Sequence, residues 1–294
     1  MRIIDRSEIN DQKWNACILE APVFRHYALT YFLDASTEVW KAIISDDYKW
    51  VWPIPIKKSI VGKVYQPLLS QQLGPFGIGI SKKEFDECSA LLKNNFWGSN
   101  IKYNEGVNAD WLADPIYHTN VDLDLSEPFE SLEAGFNRNA RTNIKKAKNS
   151  SLEILKKQSV TSQLITMFRQ GRGSEINVLD DAFYEHVESI YNAFDSKGEA
   201  ETWVALYKGE IVAGILLLTT NKRLLNFFTA SNDLARKTGA MHFLMAAIFA
   251  EYAGGKYVFD FEGSNDKNLA YFYKSFGGEE NVYLQAYKKW NIPL

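Results

Sequence analysis

The sequence predicts a mixed α/β protein, a mixed α+β sheet built as two units in tandem. Three observations carry this. From residue 201 onward the elements follow the order β-β-β-α-β-α-β. The first half shows the same outline of a meander, a helix and further strands. The chain has 294 residues, a length that suits two units of about 150 each. The expected units are residues 1–126 and 127–294.

Composition narrows the class. A hydrophobic fraction of 46% beside 23% charged residues is that of a globular protein. The formal net charge of −3 gives no global polycation signal, so any anion site must be local. Cys17 and Cys88 lack CxxC spacing and nearby histidines. They are expected as plain buried thiols in a reducing cytosol, with no metal site. The start is charged, and the longest apolar runs, such as 211–218, are too short to cross a bilayer. The expectation is a soluble, cytoplasmic protein without a membrane span; its oligomeric state is left open.

Runs at 38–45 and 48–56 around Asp46-Asp47 read as a hairpin, with Pro53 and Pro55 demanding an edge or a bulge. Residues 63–70 form another apolar run, followed by a Gly- and Pro-rich loop at 71–77. Ser81 with Glu84 makes a capping box for a helix over 82–94. Strands are expected near 101–104 and 119–125. A helix capped by Ser126 is expected to run to 148, with Gly135 as a break point. A short strand at 152–156 and helices at 161–170 and 180–194 follow, the helices separated by a mobile loop at 171–177. Then come a meander at 201–208, 211–220 and 223–230, a long helix at 235–252, a strand at 257–261, a helix at 265–276 and a closing strand at 282–287.

Two segments carry a family resemblance. Ala270-Tyr271-Phe272-Tyr273-Lys274-Ser275-Phe276-Gly277 resembles the late GNAT acyltransferase motif A-x-x-F/L-Y-x-x-x-G-F, with Gly278 in place of the last phenylalanine. Arg236-Lys237-Thr238-Gly239-Ala240-Met241 resembles the Q/R-x-x-G-x-G/A signature, with the final small residue one place early. In that family this loop and the following helix hold the pyrophosphate of coenzyme A. The resemblance implies two GNAT-like units and an acyl-CoA co-substrate held by Arg236, Lys237, Thr238, Gly239 and Ala240. It makes Tyr273 the acid that protonates the departing thiolate. It also turns Thr229, Ala230 and Ser231, at the end of the third meander strand, toward the acyl donor.

Phe259-Asp260-Phe261-Glu262-Gly263-Ser264, followed by Phe272 to Gly278, is similar to the D-F-x-G-S … F-K-x-x-F-G pattern of the FemAB-like tandem-GNAT group. Arg138, Arg141, Ile144 and Ala147 resemble that group's basic helix, with the arginine spacing differing by one. Fem-type enzymes use aminoacyl-tRNA and act on peptidoglycan precursors, so aminoacyl-tRNA is the alternative donor and tRNA an alternative partner. Many carry an inserted coiled coil, for which this chain has no room. The implied reaction is acyl transfer to a small-molecule or peptide amine. A degenerate, non-catalytic binding module is the remaining alternative.

The residues themselves leave several readings open. Asp260 and Glu262 alternate with two phenylalanines, which puts both carboxylates on one strand face. Such a pair suits a general base or a set of capping and salt-bridging acids. Tyr273 is an acid or a core tyrosine, and His242 a second base or packing. Arg138, Arg141, Lys145 and Lys148 share one helix face, either to bind phosphate or as a solvated surface. Gln71 and Gln72 frame an acceptor pocket with Trp50 and Trp52, or a structural turn. Ser264 and Lys274 complete the substrate-binding candidates.

Overall fold

Short polar side chains set most helix starts. In a computed structural model that describes residues 1–57, 62–263 and 265–290, Asn10, Ser81, Asn137, Asp180, Asn232 and Asp266 each accept a main-chain N–H of the helix that follows. These bonds satisfy donors that a helix leaves unpaired. Ser81 and Glu84 form the expected capping box. Ser126 does not cap: its N–H bonds Asp124 Oδ1 at 2.8 Å, and the helix starts only after Pro128.

The chain divides into two compact units, Met1–Thr119 with the residues from Val282 on, and Asn120–Asn281. The first contains β1 (Arg2–Asp5), α1 (Asp11–Glu20), α2 (Thr30–Ser36), β2 (Trp40–Ile44), β3 (Trp50–Lys57), β4 (Lys63–Val64), β5 (Phe76–Gly77), α3 (Lys82–Asn95), β6 (Gly98–Tyr103) and the start of β7 (Ile116–Asp124). The second continues with α4 (Phe129–Gly135), α5 (Arg138–Lys148), β8 (Leu152–Lys156), α6 (Thr161–Gln170), α7 (Asp181–Asp195), β9 (Ala200–Tyr207), β10 (Glu210–Thr220) and β11 (Arg223–Ser231). It closes with α8 (Asp233–Thr238), α9 (Ala240–Tyr252), β12 (Val258–Asp260), α10 (Lys267–Lys274) and the start of β13 (Glu279–Lys289). The boundaries thus fall at 119/120 and 281/282 rather than at 126/127. The reason is pairing: the end of β13 pairs with β6, from Leu284↔Tyr103 to Lys289↔Gly98, while Asp122–Asp124 of β7 pair with β12.

In the first unit β1, β2 and β3 are antiparallel neighbours. β4 and β5 cover only the two ends of β3. Pro53 and Pro55 lie in the stretch between, where a missing N–H breaks no ladder bond. Trp50, Trp52, Phe85, Cys88 and Tyr103 build the core, with Trp52 stacked on Phe85 at 5.2 Å. Cys17 and Cys88 are free and buried, and burial pushes their thiols up to about 11 and about 12. The extended run expected over 63–70 shrinks to the two residues of β4.

In the second unit β8, β9, β10 and β11 form an antiparallel meander; β12 joins β11 in parallel and β7 pairs antiparallel with β12. Ala213, Ile215 and Leu217 share a core with Ile144 of α5 and Leu244, Met245 and Phe249 of α9. Gly214, on the opposite face, meets Leu164 of α6. The loop expected to be mobile at 171–177 contains a 3-10 turn, Arg172–Glu175, braced by an ion pair between its end residues at 2.7 Å. The helix expected over 126–148 is two helices that part at Phe136-Asn137.

The long helix expected over 235–252 is also two, α8 and α9, divided by Gly239 at φ +78°. A Cβ at this position would lie 2.4 Å from the Asn143 carbonyl oxygen of α5. Close helix packing and the left-handed backbone both require glycine here. Gly239→Ala should therefore lower unfolding stability by about 2–4 kcal/mol, from left-handed strain plus overpacking. An unchanged urea midpoint would show that α5 and α9 can separate without cost.

Candidate functional site

β11 and β12 run parallel for only three residue pairs, from Arg223↔Val258 to Leu225↔Asp260. Beyond that point they part. On β11 the register against β10 slips: Leu216 faces Phe228 and Leu217 faces Asn226, which leaves Phe227 as an extra, bulged residue. On the other side β12 stops at Asp260, and Glu262 and Gly263 turn the chain with φ of 55° and 65°. Asp260 Oδ1 accepts the Glu262 N–H at 3.1 Å and holds the turn. A left-handed glutamate costs about 1–2 kcal/mol, and backbone strain of this kind gathers at functional sites.

Asn226 and Tyr273 both contact Phe261 at the parting. Asn226 is buried in β11; its Nδ2 donates to the Phe261 carbonyl at 3.2 Å and its Oδ1 accepts from Thr229 Oγ1 at 2.7 Å. Tyr273 of α10 is also buried and stacks on Phe261 at 4.7 Å. Burial, then the carboxylates of Glu262, Asp266 and Asp260, push its phenol well above the usual range. Its ring belongs to the core and its hydroxyl to a polar cluster.

A charged cluster sits beneath. Arg223 donates to Asp260 Oδ2 through Nε at 2.9 Å and Nη2 at 2.7 Å, and to both oxygens of Asp122 at 2.7 Å. Asn120 donates to Asp260 at 2.8 Å and Asn281 to Asp122 at 2.9 Å. Burial opposes the charge on Arg223, but Asp260 and Asp122 outweigh it and raise its pKa. This corrects the expected pair of acids. Asp260 is fully buried and ion-paired, and Glu262 lies past the end of the strand, so strict alternation does not place both carboxylates on one strand face. The turn nevertheless keeps Glu262 electrostatically close to Tyr273.

The other expected residues are scattered. Thr229 and Ala230 continue β11 beyond the bulge, and Ser231 ends it. Arg236, Lys237 and Thr238 lie within α8 rather than in an open loop. Thr238 and Ala240 are buried, Gly239 packs on α5, and exposed Arg236 pairs with Asp233. Ser231, Asn232 and Arg236 line a cleft of about 850 Å³ with Gln163, Gln170 and Arg172. On α5, Arg138, Arg141 and Lys145 are exposed while Ala140, Ile144 and Ala147 are buried. Lys274 pairs with Glu280. Gln71 and Gln72 are buried in the first unit, the Gln72 amide donating to Gln71 at 3.0 Å. Ser264 lies outside the described residues.

Asn226, Arg223, Asp122 and Asn120 were not among the expected site residues. Asn226 had a signal: one amide inside Leu224-Leu225-Asn226-Phe227-Phe228. Arg223 had none, since its carboxylate partners lie 101 and 37 residues away. Among the described residues no group of three or more His, Cys, Asp or Glu could hold a metal ion, and no helix is long and apolar enough to cross a membrane.

Residues 134–275 match the model of the acetyltransferase (GNAT) domain family. The solved structure of FemX is similar over 97% of both chains, with a TM-score of 0.66 at 13% identity. A tandem GNAT protein from the clavulanic acid biosynthesis pathway is similar over 97% of this chain and 98% of its own, with a TM-score of 0.56 at 10% identity. The fold is that of the FemAB-like tandem-GNAT group. The C-terminal domain of a putative lysylphosphatidylglycerol synthetase from Agrobacterium fabrum shares this GNAT-type fold over 94% of this chain and 91% of its own, with a TM-score of 0.59 at 13% identity. No curated protein sequence gives a significant match. The matched domain is of acyltransferase type and contains the parting of β11 and β12.

His242 of α9 packs edge-on against Phe272 at 4.7 Å, and burial lowers its pKa to about 4. It is neutral at pH 7 and a poor base. Between its ordinary 6.5 and about 4, the unfolded chain takes up a proton that the folded chain resists, so stability falls as pH drops through that window. His242→Phe should flatten this part of the stability–pH curve relative to wild type. Identical slopes in urea titrations from pH 6.5 to 4 would contradict the burial of the imidazole.

Proposed function

We propose that this protein transfers an acyl group from an activated ester or thioester to an amine, with the chemistry at the parting of β11 and β12. The observation that carries this reading is Tyr273, buried and stacked on Phe261 just past the end of β12, where β11 bulges at Phe227. The amine nitrogen attacks the acyl carbon. Main-chain N–H groups of the bulge receive the developing oxyanion. The bond to the leaving atom then breaks with its electron pair, Tyr273 gives that atom a proton, and the amine proton passes to Glu262. Asp260 serves as scaffold. The 850 Å³ cleft beside Ser231 is the proposed approach for the amine.

The leading donor is an acyl-CoA. Removing a general acid costs roughly 10²- to 10⁴-fold. Tyr273→Phe should therefore lower kcat for acyl transfer from acetyl-CoA to a panel of amines by about that factor while leaving donor binding within a few-fold. Equal turnover in variant and wild type removes the acid role.

A second reading has its own support. Gly239 and Ala240 pack against α5, where a coenzyme A pyrophosphate would need open main-chain N–H groups. The raised phenol of Tyr273 suits an alkoxide leaving group better than a less basic thiolate. Aminoacyl-tRNA, an oxygen ester on a phosphate-rich chain, fits both features and the exposed cations of α5. On this reading, replacing Arg138, Arg141 and Lys145 together by alanine weakens tRNA binding and flattens its salt dependence by up to about three in log–log slope. Unchanged tRNA binding, together with a thermal shift on adding acetyl-CoA, returns the choice to acyl-CoA.

A further inference from the structure

The cleft of about 850 Å³ has two walls, and both belong to the second unit. One is α6 with the 3-10 turn that follows it. Gln163, Thr166, Met167 and Gln170 recur there at i, i+3, i+4 and i+7 and so share one helix face. The other wall is the end of β11 with the start of α8. The walls come together where a Cβ on Gly171 would lie 3.7 Å from the Ser231 carbonyl oxygen. Each wall carries one arginine and one carboxylate: Arg172 with Glu175, and Arg236 with Asp233. Their formal charges cancel. Such a lining suits a single carboxylate and opposes a chain of phosphates, which Glu175 and Asp233 would repel.

The two arginines differ in what holds them. Arg172 donates to Glu175 at 2.7 Å, and its Nη2 lies 3.6 Å from Asp266, the cap of α10. Arg236 is exposed and, among the described residues, pairs only with Asp233, three residues away. A local, solvated ion pair of this kind contributes little and exchanges readily. Gln163 and Gln170 hold side-chain amides that bond no other described residue. An amide offers both donor and acceptor, as a peptide group does. Ser231 stands four residues beyond the bulge at Phe227, about 13 Å along an extended strand. A ligand that spans this stretch is about four extended residues long.

We propose that the cleft binds a short peptide whose free carboxylate lies on Arg236 and whose amine is directed along β11 toward the bulge. The inference rests on the acyl-transfer reading above and names its acceptor. The peptide carboxylate replaces Asp233 on Arg236 and takes the guanidinium as a fork. Gln163 and Gln170 bond the peptide groups in between.

The test reads binding alone, by ligand-detected NMR, with tetra-alanine and its C-terminal amide as probes. Wild type should bind the free acid about tenfold more tightly than the amide. Arg236→Gln, at an exposed position, should abolish that preference. Asp233→Asn, which removes the competing carboxylate, should tighten the free acid by about a few-fold. Binding of neither probe, equal binding of both by wild type, or a preference that survives Arg236→Gln overturns the proposal. Displacement of the peptide by ADP in wild type but not in Arg236→Gln also overturns it, because the arginine then serves a donor phosphate. A preference for the acid without acyl transfer to tetra-alanine from acetyl-CoA supports the carboxylate site and counts against the transfer reading instead.

Discussion

The second unit depends on one guanidinium. Arg223 begins β11 and clamps Asp122 of β7 and Asp260 of β12 at the last residues where those strands pair. A buried ion pair adds little net stability, because desolvation offsets most of its attraction. What it supplies is register. With both carboxylates tied to one arginine, β12 cannot slide against β11 without stranding a buried charge, a defect of about 3–5 kcal/mol. The point of divergence, and hence the position of the candidate site, is set by that clamp.

Two local devices then hold the strands apart. The bulge at Phe227 bends β11 away from a regular ladder, and the left-handed pair Glu262-Gly263 turns the other chain. Asn226 spans the gap from one strand to the Phe261 carbonyl of the other. The result is a place where sheet, helix α10 and a polar cluster meet inside an otherwise apolar core. Phe259, Phe261, Phe249 and Phe276 pack around it and keep the ring of Tyr273 in place.

Helix packing shapes the donor question in the same way. Gly239 permits α5 and α9 to approach until main chain touches main chain. That contact places Gly239 and Ala240 against protein. The cations of α5 stay outside because Ala140, Ile144 and Ala147 supply the buried stripe. An exposed row of cations and a closed loop are thus consequences of one helix–helix contact.

By itself the sequence determined what depends on neighbours in the chain. The capping box of Ser81 and Glu84, the hairpin around Asp46-Asp47, the meander between residues 201 and 231 and the edge character of Pro53 and Pro55 all follow from spacings of a few residues. The tandem α/β class and the segment with Tyr273 were legible for the same reason. Where α8 and α9 replaced one expected helix, the cause was an approach from elsewhere: α5 against Gly239. Where Asp260 turned out to be a clamp, the partners were Arg223 and Asn120, 37 and 140 residues distant. Local patterns fix elements because their forces act within a turn or two of chain. Tertiary structure alone decided which polar groups were buried together, because burial and charge pairing depend on distance in space and not along the sequence.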